Sequence, residues 1–270
     1  MSFNMRRRAG AAVVALALAF PTVAVAAGPA HAAPGRATPV AAPASDLLVL
    51  LGDLLARLLP VPVPAPAPGA PPAVSQVAAS TVRVSGVACG RRLFGSGFSP
   101  APDTIVTNAH VVAGTRGAEV LRPDGRTLAA TVVAFDPARD LAVLAVPGLG
   151  QPSLPLGTAV VGENDAVYGH PFGRAALEVS PAQVLRRVTV DAGDIYDRAS
   201  IPRQILVLGA NLDPGDSGGA LVNSAGQVVG VAFAVSNLRR GTAFAVAVEE
   251  LAPVLARPRS GPVGTGPCLR

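Results

Sequence analysis

Ser217 lies in the stretch "NLDPGDSGGALVN", residues 211–223, flanked by Gly215-Asp216 and Gly218-Gly219. A glycine-rich loop around a serine is common, because glycine takes positive φ without steric cost. The alternative is an activated nucleophile. A serine hydroxyl attacks a carbonyl only when a base takes its proton and a third group orients that base. The nucleophile reading therefore demands a histidine and a carboxylate elsewhere in the chain.

Three histidines are available: His31, His110 and His170. His31 falls at a candidate leader-cleavage site. His170, in "YGHPFG", precedes a proline with no carboxylate nearby and reads as structural or surface. His110, in "TIVTNAHVV", follows directly from an apolar run, so a rigid strand can fix its ring. Two aspartates could orient it, both in "AFDPARDLAVLAV". Asp136 precedes proline, as turn residues do. Asp140 stands at the entrance of a strongly apolar strand, where a carboxylate needs a partner to offset its desolvation. An imidazole N–H meets that need, which favours Asp140. "GDSGG" also satisfies the G-x-S-x-G elbow of α/β-hydrolases, but that fold places its histidine after the serine. No histidine follows Ser217.

The elements that must carry these residues are short and β-rich. From about residue 73, "TVRVSGV", "TIVTNAHVV", "AEVLRP", "TLAATVVAF", "DLAVLAV", "QILVLGA", "QVVGVAFAV" and "GTAFAVAV" alternate with turn signals such as Pro123-Asp124-Gly125 and Ser224-Ala225-Gly226. This pattern predicts an all-β barrel or sandwich. "AVEELAPVLA" closes it as a short C-terminal helix. Before it, residues 1–32 have the three-part plan of a signal peptide: Arg6-Arg7-Arg8, an apolar run from Ala9 to Phe20, and an Ala30-x-Ala32 exit. An uncleaved anchor is the rival. Residues 33–72 read as an Ala/Pro-rich linker with an amphipathic helix over 45–59, whose leucines at 47, 51, 54, 55 and 58 share one face. That helix lacks a basic face, so docking is expected rather than membrane contact.

All 22 basic residues are arginine. Without lysine, a phosphate-loop lysine, a Schiff base and a Ser-Lys dyad are excluded. Beyond the leader, 19 arginines face 17 acids, too near balance for a nucleic-acid footprint. No metal or cofactor motif is present, and none is expected. Cys89 and Cys268 allow one pairing: a disulfide is the default in an exported chain, and two buried free thiols are the alternative.

The order His110, Asp140, Ser217, carried by "TNAH", "DPxxDLAVL" and "PGDSGGAL", resembles the chymotrypsin/trypsin clan of serine proteases. Within it the chain is most similar to the HtrA-like branch, and especially to actinobacterial periplasmic acid-resistance (MarP-type) proteases. One cysteine shortly before "GSGF" and one near residue 268 match that family's bridge, Cys89 with Cys268. The resemblance covers about residues 74–268. It implies a chymotrypsin-like double β-barrel over 73–256, with barrels at about 73–157 and 158–246, a boundary near Gly157–Gly162, and a tail 257–270. It implies peptide-bond hydrolysis by His110, Asp140 and Ser217, with the N–H groups of Gly215 and Ser217 as oxyanion donors. Asn211 is expected at the base of the specificity pocket, with walls from Ala232, Phe233, Ala234 and Phe244. A small-to-medium apolar substrate side chain follows. The expected protein is a secreted or cell-envelope monomer acting on proteins or peptides. The competing functions are a silent, protease-like binding module and an esterase using the same triad; an intact triad disfavours the first. No activation-cleavage signal occurs near 73–80, so Asp216 is expected to find a partner other than a freed N-terminus.

Overall fold

The computed structural model describes residues 74–236, 240–257 and 261–269. The leader expected over 1–32, the linker over 33–72 and its helix over 45–59 lie outside the described residues.

The described chain is an all-β double barrel. Six antiparallel strands close the first sheet in the order β1-β2-β3-β6-β5-β4: β1 (Thr81–Ala88), β2 (Arg91–Ala101), β3 (Thr104–Thr107), β4 (Ala118–Leu121), β5 (Thr127–Asp136) and β6 (Leu141–Ala145). Six more close the second in the order β10-β11-β12-β9-β8-β7: β7 (Asn164–Gly169), β8 (Glu178–Gly193), β9 (Ser200–Ala210), β10 (Ala220–Val222), β11 (Val228–Val235) and β12 (Thr242–Ala247). Closure leaves neither sheet with an unpaired edge. A 3-10 turn at Val248–Leu251 runs into the short helix Ala252–Leu255.

The apolar runs have two faces to fill. Along a strand, successive side chains point to opposite sides. Ile105 and Leu144 point into the first barrel with Val82, Val120 and Val132. Their neighbours Val106 and Val143 face outward, into a core shared with Tyr168, Ile205, Phe233 and Phe244 of the second barrel. Leu206 and Leu208 fill the second barrel with Val184, Leu221 and Val229. Three cores built from alternate residues explain why these strands read as nearly unbroken valine, leucine and alanine. The linking segment touches both barrels: Leu154 donates its N–H to Ser99 at 2.8 Å, and Gly157 donates to Val228 at 2.9 Å.

Several elements carry little signal in the sequence: strands β2, β7, β8 and β10 fall outside the apolar stretches expected above. The helix Val74–Ser80 precedes β1, where only strands were expected. The 16-residue β8 contains Pro181 and the Arg186-Arg187 pair, which interrupt its apolar pattern. With β9 it forms a long hairpin whose tip, residues 194–199, carries Ile195 and Tyr196. Cys89, in the β1–β2 turn, is bonded to Cys268 (S–S 2.06 Å) across 179 positions of sequence. The segment bearing Cys268 runs beside the first barrel, with Val263 donating to Val132 at 2.9 Å and Gly114 donating to Thr265 at 3.0 Å.

Candidate active site

After β3, Asn108 opens a single helical turn, Ala109–Val112, which projects His110. Asp140 lies one residue before β6 in the left-handed region, at φ 55°. Its carboxylate receives two bonds from the same histidine: the His110 backbone N–H at 2.9 Å on Oδ1, and ring Nδ1 at 2.8 Å on Oδ2. The carboxylate can only accept, so Nδ1 carries the proton and Nε2 presents a lone pair. Asn108 Nδ2 donates to the Asp140 carbonyl at 2.8 Å, holding both ends of the pair. Asp136 is not part of it. Its carboxylate takes the Arg139 backbone N–H at 3.0 Å and the side chains of Arg139 and Arg257.

Ser217 comes from the second barrel, on a turn closed by its own backbone. Asp216 donates its N–H to Asp213, Gly219 donates to Asp216, and Gly218 donates to Ala232, at 3.0, 2.8 and 2.8 Å. The Ser217 carbonyl accepts the N–H of Ser96, on β2, at 2.7 Å, tying the turn to the first barrel. Two glycines are obligatory. Gly215 has φ 106°, and a Cβ there would lie 2.6 Å from the His170 carbonyl oxygen. Gly218 has φ 86°, and its Cβ would lie 2.1 Å from the Ser96 carbonyl oxygen. The Pro214 carbonyl accepts the Phe172 N–H at 2.5 Å. Since a trans peptide points its C=O and N–H in opposite directions, the Gly215 N–H faces away from that loop. Among the described residues no backbone or side-chain acceptor takes the N–H of Gly215 or of Ser217. Ser217 Oγ points at the Phe233 carbonyl at 3.4 Å, a long contact, and makes no hydrogen bond to His110.

Asp216 is buried without an ion-pair partner among the described residues; its carboxylate takes the Asp213 N–H at 2.9 Å. Burial pushes its carboxyl up to about 6, the Asp213 bond opposing and the charges of Asp213 and Glu178 adding to the rise. His170 is also buried, which lowers its pKa. Its backbone N–H donates to Ser96 Oγ at 2.8 Å, and that hydroxyl donates to the Gly215 carbonyl at 2.7 Å. The "YGHPFG" loop therefore braces the serine turn, which makes His170 structural rather than a surface residue.

His110 and Ser217 line one cavity of about 440 Å³. Its lining includes Leu212, Ala232, Phe233, Ala234 and Val235, together with Leu93, Phe94, Val111, Phe172 and Leu269. Two expected pocket residues, the wall residue Phe244 and the base residue Asn211, lie elsewhere. Phe244 is fully buried in the core between the barrels, 6.4 Å from the Phe233 ring, because its position on β12 turns it away from the cleft. Asn211 is exposed beside Gly241 and is not among the residues lining the cavity. Leu212, Val235, Phe172 and Leu269 were missed. Leu212 and Val235 neighbour expected residues, whereas Leu269 reaches the cleft only through the course of its segment. Among the described residues no cluster of histidine, cysteine and acids could hold a metal ion.

Residues 95–231 match the trypsin-like peptidase domain family. The chain is 37% identical over 204 residues to serine protease Rv3671c of Mycobacterium tuberculosis, covering 73% of this chain and 51% of that protein. It is 36% identical over 171 residues to bovine mitochondrial serine protease HTRA2, covering 60% and 36%. The chain thus spans about half the length, or less, of these curated relatives. The crystal structure of the active form of the Rv3671c protease superposes with a TM-score of 0.74 at 35% identity, covering 78% of this chain and 97% of that one. An inactive form of the same protease gives 0.65.

Proposed function

We propose that this chain, which belongs to the trypsin-like peptidase family, is a serine endopeptidase with Ser217 as nucleophile, His110 as general base and Asp140 as the orienting acid. The observation that carries the reading is the pair of hydrogen bonds from His110 to Asp140, with His110 lining the same cavity as Ser217. The ring proton on Nδ1 is committed to Asp140, so Nε2 is the basic atom. It takes the Ser217 proton as Oγ bonds to the scissile carbonyl carbon, and the carbonyl electron pair moves to oxygen. The N–H groups of Gly215 and Ser217, without acceptors among the described residues, receive that oxyanion. The intermediate collapses, expelling the amine, which takes the proton from the imidazolium. Water then repeats the sequence on the acyl-enzyme and releases the acid. The long Ser217–Phe233 contact suits an unliganded site, where catalytic hydrogen bonds are often loose until substrate arrives.

Substrate choice is set by an apolar wall. Leu212, Ala232, Ala234 and Val235 present no charge, and they support a small-to-medium apolar side chain before the scissile bond. The Cys89–Cys268 bond supports an oxidising compartment, hence the secreted or cell-envelope location. The test is to incubate the oxidised chain with an unstructured peptide mixture and map new termini by mass spectrometry, beside matched amide and ester substrates. Internal cleavage after small apolar residues is expected. Hydrolysis of esters alone would make the chain an esterase, and no turnover of either would leave a binding module.

A further inference from the structure

Arg203, on β9, is buried to 2% exposure and is the bulkiest fully buried side chain among the described residues. A guanidinium is costly to bury unless its donors are committed. Here Nη1 donates to the Ala138 carbonyl at 2.7 Å and Nη2 to the Gly193 carbonyl at 3.2 Å, while Nε has no partner among the described residues. Ala138 belongs to the turn Asp136–Asp140 of the first barrel; Arg203 and Gly193 belong to the β8–β9 hairpin of the second. The hairpin tip adds a further bond to that turn, Ile195 N–H to the Pro137 carbonyl at 3.1 Å. Arg139, also in the turn, donates through Nε to Glu250 at 3.0 Å, and the Gln204 N–H donates to the other oxygen of Glu250 at 2.9 Å. Asn108 holds the Asp140 carbonyl from the first barrel. Asp140 itself sits at φ 55°, a conformation that a non-glycine residue keeps only where its surroundings over-determine it.

We infer that Arg203 is a positioning residue, reaching from the second barrel to hold the Asp136–Asp140 turn in the shape that aims Asp140 at both N–H groups of His110. The arginine lies within the field of Asp140, Glu250, Asp136 and Asp194, so its charge acts on the carboxylate that it helps to place. It also links the two halves of the site, since the barrel that carries Ser217 sets the aim of the acid on the other barrel. The effect on rate rests on the proposed triad. The effect on the His110–Asp140 hydrogen bond does not.

Arg203→Met keeps roughly the volume of the arginine while removing the donors to the Ala138 and Gly193 carbonyls. It therefore separates positioning from packing. In a Ser217→Ala background, the low-field proton resonance of the His110 Nδ1–H···Asp140 bond should be lost or broadened by Arg203→Met and retained in the parent. With Ser217 present, kcat should fall roughly 10–100-fold with KM little changed, and added guanidinium should restore part of the rate in Arg203→Ala. Where Arg203→Met fails to fold, Arg203→Lys carries the test, because it keeps the charge and loses the planar fork; a shifted resonance is expected. An unshifted resonance with kcat within twofold of wild type, in whichever variant folds, overturns the inference. A parent protein that shows the resonance yet hydrolyses nothing would instead overturn the endopeptidase reading.

Discussion

The two barrels prepare their halves of the site in opposite ways. In the first, side-chain hydrogen bonds hold His110 and Asp140 to each other, with Asn108 bonded to the acid's carbonyl. In the second, Ser217 is placed mainly by backbone: a turn closed by main-chain bonds and braced by the Ser96 hydroxyl, left-handed glycines at 215 and 218, and two N–H groups without acceptors among the described residues. The difference follows from the chemistry each half would do. A base must keep one tautomer and one orientation through a proton transfer, which bonds to a fixed carboxylate provide. An oxyanion appears only fleetingly, and donors that are already satisfied cannot stabilise it. The first half is therefore saturated at the His110–Asp140 contact, with only Asn108 Oδ1 beside it unpartnered among the described residues, and the second is kept hungry.

The largest effect should come from spoiling the saturated half. Asp140→Asn keeps the shape but turns an acceptor-only group into one that favours the wrong imidazole tautomer, and kcat should fall about 10⁴-fold with the fold intact. Peptide-hydrolysis kinetics beside circular dichroism check this, and a loss below tenfold would break the contrast. Spoiling the hungry half should cost less. Gly215→Ala places a Cβ against the His170 carbonyl and the Phe172 N–H, so the turn must shift and the donor with it. A fall in kcat of about 10²–10³-fold is expected. Next comes stability. The double variant Cys89→Ser, Cys268→Ser opens a link spanning 179 positions, for which chain entropy sets an upper limit of about 5 kcal/mol. At about 2–4 °C per kcal/mol for a chain of this size, thermal melts should drop by roughly 10–20 °C at most.

The smallest effect concerns Asp165, at the start of β7, remote from the triad in sequence. Both its carboxylate oxygens are buried without a partner among the described residues, and burial, then the charge of Glu163, pushes it up to about 7 from 3.8. The folded state holds this proton more tightly than the unfolded chain. The stability it contributes is therefore full below pH 3.8 and is lost as pH rises towards 7. Asp165→Asn should remove that dependence, so the melting temperature of wild type relative to the variant should fall between about pH 4 and pH 7. A constant difference across that range would contradict the assignment.

The local parts of the site were legible in the sequence. Ser217 sits among glycines whose conformations the turn demands, and His110 and Asp140 each adjoin an apolar strand that fixes them. The strands were legible where both faces are buried, as in "DLAVLAV", and illegible in β8, where Arg186 and Arg187 lie half-buried amid the apolar pattern. The walls of the cleft were harder, because they depend on which way a strand turns. Phe244 and Val235 lie on neighbouring, paired strands, yet only Val235 reaches the cavity. Leu269, Phe172 and Arg203 come from segments far apart in the chain, and nothing local marks them. Arg203 left one trace: in "SIPRQILVLGA" it occupies the same strand face as Ile205, which turns into the core between the barrels, where an arginine is out of place.

The most direct test of the account is fluorophosphonate labelling of the oxidised chain, wild type beside Ser217→Ala. The reagent bonds only to a serine with a working base and an oxyanion site. Stoichiometric labelling at Ser217 in wild type, and none in Ser217→Ala, is the predicted result. Folded, oxidised wild type that stays unlabelled, or a label that survives Ser217→Ala, would contradict it.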